Sequence, residues 1–454
     1  MRKNTLKILM LGWEFPPILS GGLGQACYGL ASALSSRVEL TVILPKRHPE
    51  AKLKAGQVIG LNQIEYEDEY EKKIEKTYEE FTTIKYVDAS FDLYPIAERK
   101  KKITETHQRV LYLETQIKKP STLKDLFNEE SIYGPNIMEK VDAYAKVVTD
   151  LAKDIKFDIV HAHDWITLPA AMKIKETYNK PFIAHIHSLE TDRTGEGSKN
   201  KIFEIEQKGM EAASFVFAVS NYTRSCIQRN YKISLDKLIT IHNGIDQFCN
   251  PEVPAKPEKD EDSIKKILFL GRITRQKGPG FLVETAIHLL KKHQKVKFVI
   301  AGIGDRLRET MMYAKNRDVL QYFEFVGFLD KQKVIELMAD SDVYFMPSVS
   351  EPFGLAALEA AQVGLPVVAS KQAGVNEVLP EILKANFWDT ATFANYLYAL
   401  LNYKGLNKEI SKLTAKAVPA LSWTKAAEDI CFFYEKLSIG DLEIEDANRP
   451  KLKP

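Results

Sequence analysis

The stretch Lys266–Gly278, KILFLGRITRQKG, decides how this sequence is to be read. A short apolar run stops at Gly271, and Arg272 and Lys277, five residues apart with Arg275 between them, follow before the next glycine. An apolar run of that length without alternation reads as a strand covered on both faces, as in a parallel sheet. Ligands of open α/β sheets bind beyond the carboxyl ends of such strands. A guanidinium fork and an ammonium at that place suit a diphosphate that gains negative charge as its bond breaks. Two solvated surface cations are the bland alternative.

Similar runs recur on either side, separated by helical patterns. Before this stretch they are Lys7–Leu11, Val38–Leu44, Asp158–His161, Pro181–His187, Ser214–Val219 and Leu238–His242. After Lys266–Leu270 itself they are Val296–Ala301, Phe323–Val326, Val343–Met346 and Pro366–Ala369. Strands alternating with helices predict βαβ units and parallel sheets, so chemistry is expected at the strand exits. Val343–Met346 runs into PSVSEPFGLAALEA (347–360), with Glu351 and Glu359 eight residues apart. With a helix starting near Phe353, Glu351 precedes it and Glu359 lies about two turns in. One carboxylate can accept from sugar hydroxyls and the other from ribose. Two acids complementing a helix dipole read equally well.

In the first half, Lys7–Leu11 exits into WEFPPILSGGLG (13–24) and then a helical pattern. Glycines before a helix let an anion approach the first amides, though a plain tight turn fits Gly21 and Gly22 as well. Neither a G-x-G-x-x-G fingerprint nor a P-loop is present. His163, His185 and His187 fall at two further strand exits and mark the edge of an active site. No HExxH or Cys/His partner set accompanies them, so no metal is expected.

At 454 residues, the chain exceeds a single core. Asn250–Ser263, NPEVPAKPEKDEDS, reads as a solvated linker between two Rossmann-like α/β domains facing each other across a cleft. Residues 1–250 form the first domain, 264–420 the second and 441–454 a tail. Glu65–Glu80 carries eight acids against three lysines, a solvated face within a long insert at about 50–130. Trp423–Leu437 has helical spacing. A net charge of +2 excludes a nucleic-acid footprint. The apolar start is too short for a signal peptide, no run is long enough to span a bilayer, and the four scattered cysteines read as free thiols, which places the protein in the cytoplasm.

Together, WEFPPILSGGLG (13–24), HAHDW (161–165), HNGID (242–246), GRITRQKG (271–278) and SEPFGLAALEA (350–360) resemble the retaining glycosyltransferases of the GT-B fold, of the glycogen and starch synthase group and the adjoining family 4. The resemblance implies a nucleotide-sugar, UDP-glucose or ADP-glucose, as substrate, a glucan or other carbohydrate acceptor, and no cofactor. It implies donor-phosphate contacts at Gly21 and Gly22, diphosphate binding by Arg272 and Lys277, and orientation of the sugar by Glu351. Gly354 and Leu355 would contact sugar hydroxyls through backbone amides, Glu359 would bind ribose, and His163 would touch the sugar near its reacting carbon. The helix at about 421–440 would cross back onto the first, acceptor-side domain, leaving 264–420 as the donor domain. Leu19-Ser20 stand where bacterial and plant glucan synthases have Lys-Thr. A family 4 hexosyltransferase acting on a lipid or small sugar is the alternative within the class, and a nucleotide-sugar epimerase the alternative outside it.

Overall fold

The structure is a computed structural model that describes residues 5–18, 21–64, 123–128, 132–134, 136–246 and 263–439. The acidic run at 65–80, the linker up to residue 262, Leu19-Ser20, Cys249 and the tail from 440 lie outside the described residues.

Two parallel sheets account for the strands among the described residues. The first contains β1 (Lys7–Leu11), β2 (Glu39–Leu44), β3 (Gln57–Gly60), β4 (Ile159–His163), β5 (Phe182–Ile186), β6 (Phe215–Ala218) and β7 (Leu238–Thr240). Its order is β3-β2-β1-β4-β5-β6-β7. The second contains β8 (Lys265–Leu270), β9 (Val296–Ala301), β10 (Phe323–Gly327), β11 (Val343–Met346), β12 (Val367–Ser370) and β13 (Leu383–Ala385), in the order β10-β9-β8-β11-β12-β13. In each, strand order reverses beside the first strand, between β1 and β4 and between β8 and β11. Such a switch point opens a crevice beyond the carboxyl ends.

The central strands are short because they are covered twice. β4, β5, β6, β11 and β12 are buried at every position. Each sheet has an apolar cluster on either face: Leu9, Val160 and Ala184 against Ile8, Met10 and Ile183 in the first, Phe269, Phe298 and Phe345 against Leu268, Val299 and Tyr344 in the second. The helices that bear on the site are α1 (Gly22–Leu34), α2 (Asn221–Tyr231), α3 (Leu355–Gln362) and α4 (Trp423–Ile439).

Several expectations shift by a residue or more. β4 continues to His163, so this histidine is the last residue of a strand and not part of the loop after it. α1 begins at Gly22, which places Gly22 and Gly24 inside the helix, with only Gly21 at its N-cap. α3 begins at Leu355 and not near Phe353, because Gly354 takes φ +107 and the chain must pass through that left-handed residue before it can wind. β3 and β13 had no apolar run long enough to announce them: QVIG and LKA are edge strands of four and three residues. Cys27, Cys226 and Cys431 are free thiols.

After the second sheet, α4 returns to the first. Ile430 and Tyr434 pack with Ile8, Met10 and Leu30, and the indole of Trp423 fills the space that a side chain at Gly29 would occupy, with a Cβ there only 2.3 Å from the ring. The turn before α4 lies equally close to Gly244, where an added Cβ would fall 2.1 Å from the Trp423 amide nitrogen. Backbone on both sides leaves no rotamer to relieve that contact. Gly244→Ala is therefore expected to destabilise the protein by about 1–3 kcal/mol, read as a lower urea midpoint with unchanged m.

Candidate active site

The two switch points face each other, and the expected residues gather between them. On the second-lobe side, β8 ends at Gly271 and the chain turns through Arg272 to a single 3-10 turn, Arg275–Lys277. Gly278 closes it at φ +70, and a Cβ there would lie 2.2 Å from the Pro347 carbonyl oxygen. The β8 exit is thereby pressed against the β11 exit. Lys277 consequently forms an ion pair with Glu351, whose same oxygen accepts from Ser348 Oγ at 3.2 Å. The Glu351 side chain is 8% exposed and that of Lys277 23%. A partly desolvated pair of that kind orders both side chains and is easily exchanged for a stronger anion at the ammonium.

The first lobe supplies the opposing wall. A Cβ at Gly21 would sit 3.8 Å from Arg272 Nε, and one at Gly22 would sit 3.6 Å from Leu355 Cδ1. The N-terminus of α1, with its unpaired amides and positive dipole end, therefore lies directly across from Arg272 and from the start of α3. Gln25 Nε2 of α1 donates to Glu359 Oε1 of α3 at 3.2 Å. Burial raises the Glu359 carboxyl above its ordinary range, and the Gln25 amide works against that rise. Arg272, Lys277, Glu351, Glu359, Gly354 and Leu355 thus meet Gly21 and Gly22 in one place.

His163 is positioned differently. Its Nδ1 pairs with His187 Nε2 at 2.8 Å, and the rings of His161, His163, His185 and His187 form a stack with centroids 4.5–5.3 Å apart. The register of β4 on β5, with His163 opposite His185, produces it. Tyr434 of α4 bonds His161 Nδ1, and His161 Nε2 bonds His185 Nδ1. Among the described residues no hydrogen bond or ion pair joins His163 to Arg272, Lys277 or Glu351; it borders α1 through Cys27. Buried His163 Nε2, His185 Nε2 and His187 Nδ1 have no hydrogen-bond partner among the described residues. Asp164, at φ 57, accepts from the amides of His187 at 2.6 Å and Ser188 at 3.2 Å and so fixes the loop after β5. Burial lifts its carboxyl to about 6 against the pull of those amides.

Among the described residues two groups have spacing that could hold a metal, Cys27 with His163 and His187, and His161 with His163 and His185, the ligand atoms of each group lying within 4.8 Å of one another. A soft ion needs a thiolate. Burial pushes the Cys27 thiol well up, and Asp164 and Glu14 push it further, which opposes that chemistry.

The lobes also touch along a seam that spacing in the sequence did not mark. Glu377 of the second lobe accepts from the Asn221 amide at 2.8 Å and the Tyr222 amide at 2.7 Å, capping α2, and pairs with His242 Nε2 at 2.8 Å. Ser220 Oγ donates to the Pro352 carbonyl, Ser350 Oγ to Asp192 Oδ1, and Arg275 Nη1 to the Thr194 carbonyl at 2.6 Å. Only the HNGID and SEPFG motifs, which abut these contacts, hinted at them.

Two facing parallel-sheet lobes, with cations and carboxylates between their switch points, define a glycosyltransferase of the GT-B fold. Residues 7–241 match the family described as starch synthase catalytic domain, and residues 250–413 match glycosyl transferases group 1. The chain belongs to the starch synthase catalytic domain family. An uncharacterised glycosyltransferase of Methanocaldococcus jannaschii is 32% identical over 235 residues, 49% of this chain and 60% of that relative, so the match spans less than two thirds of its length. Glycogen synthase of Mycobacterium tuberculosis is 24% identical over 388 residues, 82% of this chain and 80% of that one. The catalytic domain of Arabidopsis thaliana starch synthase IV, solved with ADP and acarbose, superposes with a TM-score of 0.65 at 16% identity, covering 97% of this chain and all (100%) of that one. No helix among the described residues is long and apolar enough to cross a membrane.

Two measurements test this geometry. His161 and His187 are lowered to about 3, first by burial, so between pH 6.5 and 3 the unfolded chain binds protons that the folded chain does not. Stability is then lost as pH falls below 6.5, by roughly 2 kcal/mol per imidazole at pH 5. Asp164 between 3.8 and about 6, and Glu206 between 4.5 and about 8, act oppositely and offset part of the loss, while His163 and His185, lowered by the same burial, add to it. Urea midpoints at pH 7 and pH 5 should show the loss, and His187→Asn should shrink it. For the seam, Glu377→Gln should loosen the lobes and increase the radius of gyration measured by X-ray scattering without donor. An identical profile would show that the α2 cap does not hold them together.

Proposed function

We propose that this chain is a retaining glucosyltransferase that moves glucose from a nucleoside diphosphate sugar to a glucan-type acceptor. The observation that carries the reading is the Lys277–Glu351 ion pair, held beside Arg272 and opposite the N-terminus of α1.

In this reading the donor diphosphate lies against the amides at Gly21 and Gly22. Arg272 and Lys277 supply the positive charge, in place of a divalent ion, that stabilises the diphosphate as it departs. Donor binding breaks the ion pair: Lys277 turns to phosphate oxygen, and Glu351 is freed to accept from sugar hydroxyls. The amides of Gly354 and Leu355 donate to the same sugar. Glu359 exchanges Gln25 for the ribose hydroxyls. His163 and His187, with their unpartnered nitrogens, face the sugar from the end of the first sheet.

As the bond from the anomeric carbon to phosphate oxygen breaks, its electron pair goes to that oxygen. The acceptor hydroxyl attacks from the face the phosphate is leaving, so configuration is retained. Its proton passes to the departing phosphate oxygen. No side chain is assigned as nucleophile or base, and no cofactor enters. The glycogen synthase relative and the starch synthase neighbour support glucose and a glucan as substrates. Closure of the lobes would keep water from the transient cation-like sugar.

Transfer from a panel of labelled UDP-, ADP- and GDP-sugars, with glycogen, a lipid acceptor or small sugars, tests the reading. Transfer to glycogen with retained configuration supports it, and transfer only to lipid or small sugars overturns the acceptor. Lys277→Ala is expected to lower turnover about 10²–10³-fold while the folded structure is kept, as read by circular dichroism, since the charge it provides matters most in the transition state. Wild-type turnover in that variant would remove Lys277 from the chemistry.

A further inference from the structure

We infer that Asp192 is a positioning residue: from the first lobe, through the Ser350 hydroxyl, it sets the Glu351 carboxylate in the place where the donor sugar is held. This rests on the glycosyltransferase reading and adds to it a residue that acts through another and not on the sugar itself.

Ser350 and Glu351 are neighbours in the chain, yet opposite lobes hold them. The Glu351 main chain is fixed by the second lobe: its amide donates to the Gln372 carbonyl at 2.9 Å, and its carbonyl accepts from the Gly374 amide at 2.9 Å. The Val349 amide donates to the Gln276 carbonyl at 2.8 Å, which ties the segment carrying Glu351 to the segment carrying Lys277. The Ser350 side chain, in contrast, is fixed from the first lobe. Its hydroxyl donates to Asp192 Oδ1 and meets the Tyr222 hydroxyl at 3.0 Å. Ser350, Asp192 and Glu351 are 8%, 7% and 6% exposed. A rotation of Ser350 would leave a buried carboxylate oxygen without its donor, which is costly, so the peptide leading into Glu351 is held in one orientation.

Asp192 is itself well anchored. It lies in the helical turn Glu190–Thr194, where its Oδ2 accepts from the Leu189 amide at 2.8 Å. The adjoining Arg193 pairs with Glu190 at 2.7 Å and with Glu206 at 3.1 Å, and the Glu190 amide donates to Glu206 Oε1 at 2.9 Å. Both oxygens of Asp192 are engaged, and the turn that bears it is braced against the first lobe. Burial raises the Asp192 carboxyl above its ordinary range, and the Ser350 hydroxyl and the Leu189 amide draw it back. The charge of Glu351 raises it again, so the two carboxylates are near enough to repel each other.

A plain tie between the lobes is the other role such a bond could have. Glu377 already supplies one by accepting from the amides of Asn221 and Tyr222. The Asp192 bond differs in ending one residue from Glu351, whose carboxylate also accepts from Ser348 and pairs with Lys277. A small misplacement of a group that meets the transition state lowers turnover more than it weakens binding. Donor affinity rests in this reading on Arg272 and Lys277, so the loss of Asp192 falls on kcat and leaves KM for the donor nearly unchanged.

Steady-state kinetics of the full chain with UDP-glucose and with ADP-glucose, each in the presence of glycogen and read as release of the nucleoside diphosphate, test the role. Asp192→Ala is expected to lower kcat about ten- to a hundredfold, with KM for the nucleotide-sugar within about twofold of the unaltered chain. Ser350→Ala, which removes the linking hydroxyl and leaves Asp192 in its turn, should do the same, and it carries the test if Asp192→Ala does not fold. The two losses should not multiply, so a chain with both substitutions should be no slower than the slower single variant. Adding Ser350→Ala to Glu351→Gln should likewise lower kcat no further. An unchanged kcat in Ser350→Ala, a raised KM with kcat intact, or losses that multiply in either pair would overturn the role, the last because Asp192 would then act as a tie between the lobes and not through Glu351. The unaltered chain reports separately on the transferase reading. If it turns over a donor and the variants match it, the role of Asp192 alone is refuted; if it turns over neither, the underlying reading fails and the role of Asp192 with it.

Discussion

A parallel strand covered on both faces has no place for a charged side chain except beyond its ends. β4, β5, β6, β11 and β12 are buried throughout, and the charges of this enzyme are displaced to where those strands and their neighbours stop. The reversal of strand order beside β1 and β8 then opens one crevice per lobe. Placing the two crevices face to face brings Arg272, Lys277 and Glu351 opposite the N-terminus of α1. The Lys277–Glu351 pair ties the exit of β8 to the exit of β11.

The lobes share more than a cleft. α4 leaves the second sheet and completes the apolar cover of the first, with Trp423 seated on Gly29 and Tyr434 reaching His161. Glu377, from the second lobe, caps α2 of the first. Bonds between a carboxylate and backbone amides are stronger than neutral ones but are also readily hydrated. Apolar surface is buried along the same seam, since Val219 of the first lobe shares an apolar cluster with Phe353 and Val375 of the second. The packing of α4 on α1 is a second, wholly apolar tie between the lobes.

The stacked imidazoles illustrate a different compromise. Their burial keeps all four rings neutral, so they act as hydrogen-bonding groups and not as charges. Neutrality lets His161 connect Tyr434 to His185 while His163 and His187 keep nitrogens available at the strand ends. The same burial makes the first lobe sensitive to acid, because unfolding releases four sites for protons.

Much of the architecture was legible in the residues themselves. Runs such as KILFL and VYFM have the length and uniform apolar character of doubly covered strands, and glycine with paired charges directly after them marks the exits. The short edge strands QVIG and LKA were not legible, since a strand with one neighbour needs little apolar content. Gly354 displaced the start of α3 by two residues for a local conformational reason that no periodicity expresses. By itself the sequence determined the two α/β lobes, the strand exits and most of the residues gathered there, because these follow from local patterning and burial. Only the tertiary structure decided which exits face each other, that Gln25 meets Glu359, and that Glu377 caps α2. Those contacts join residues from 155 to 334 positions apart or depend on shape between elements, and the chain carries no local signal for either.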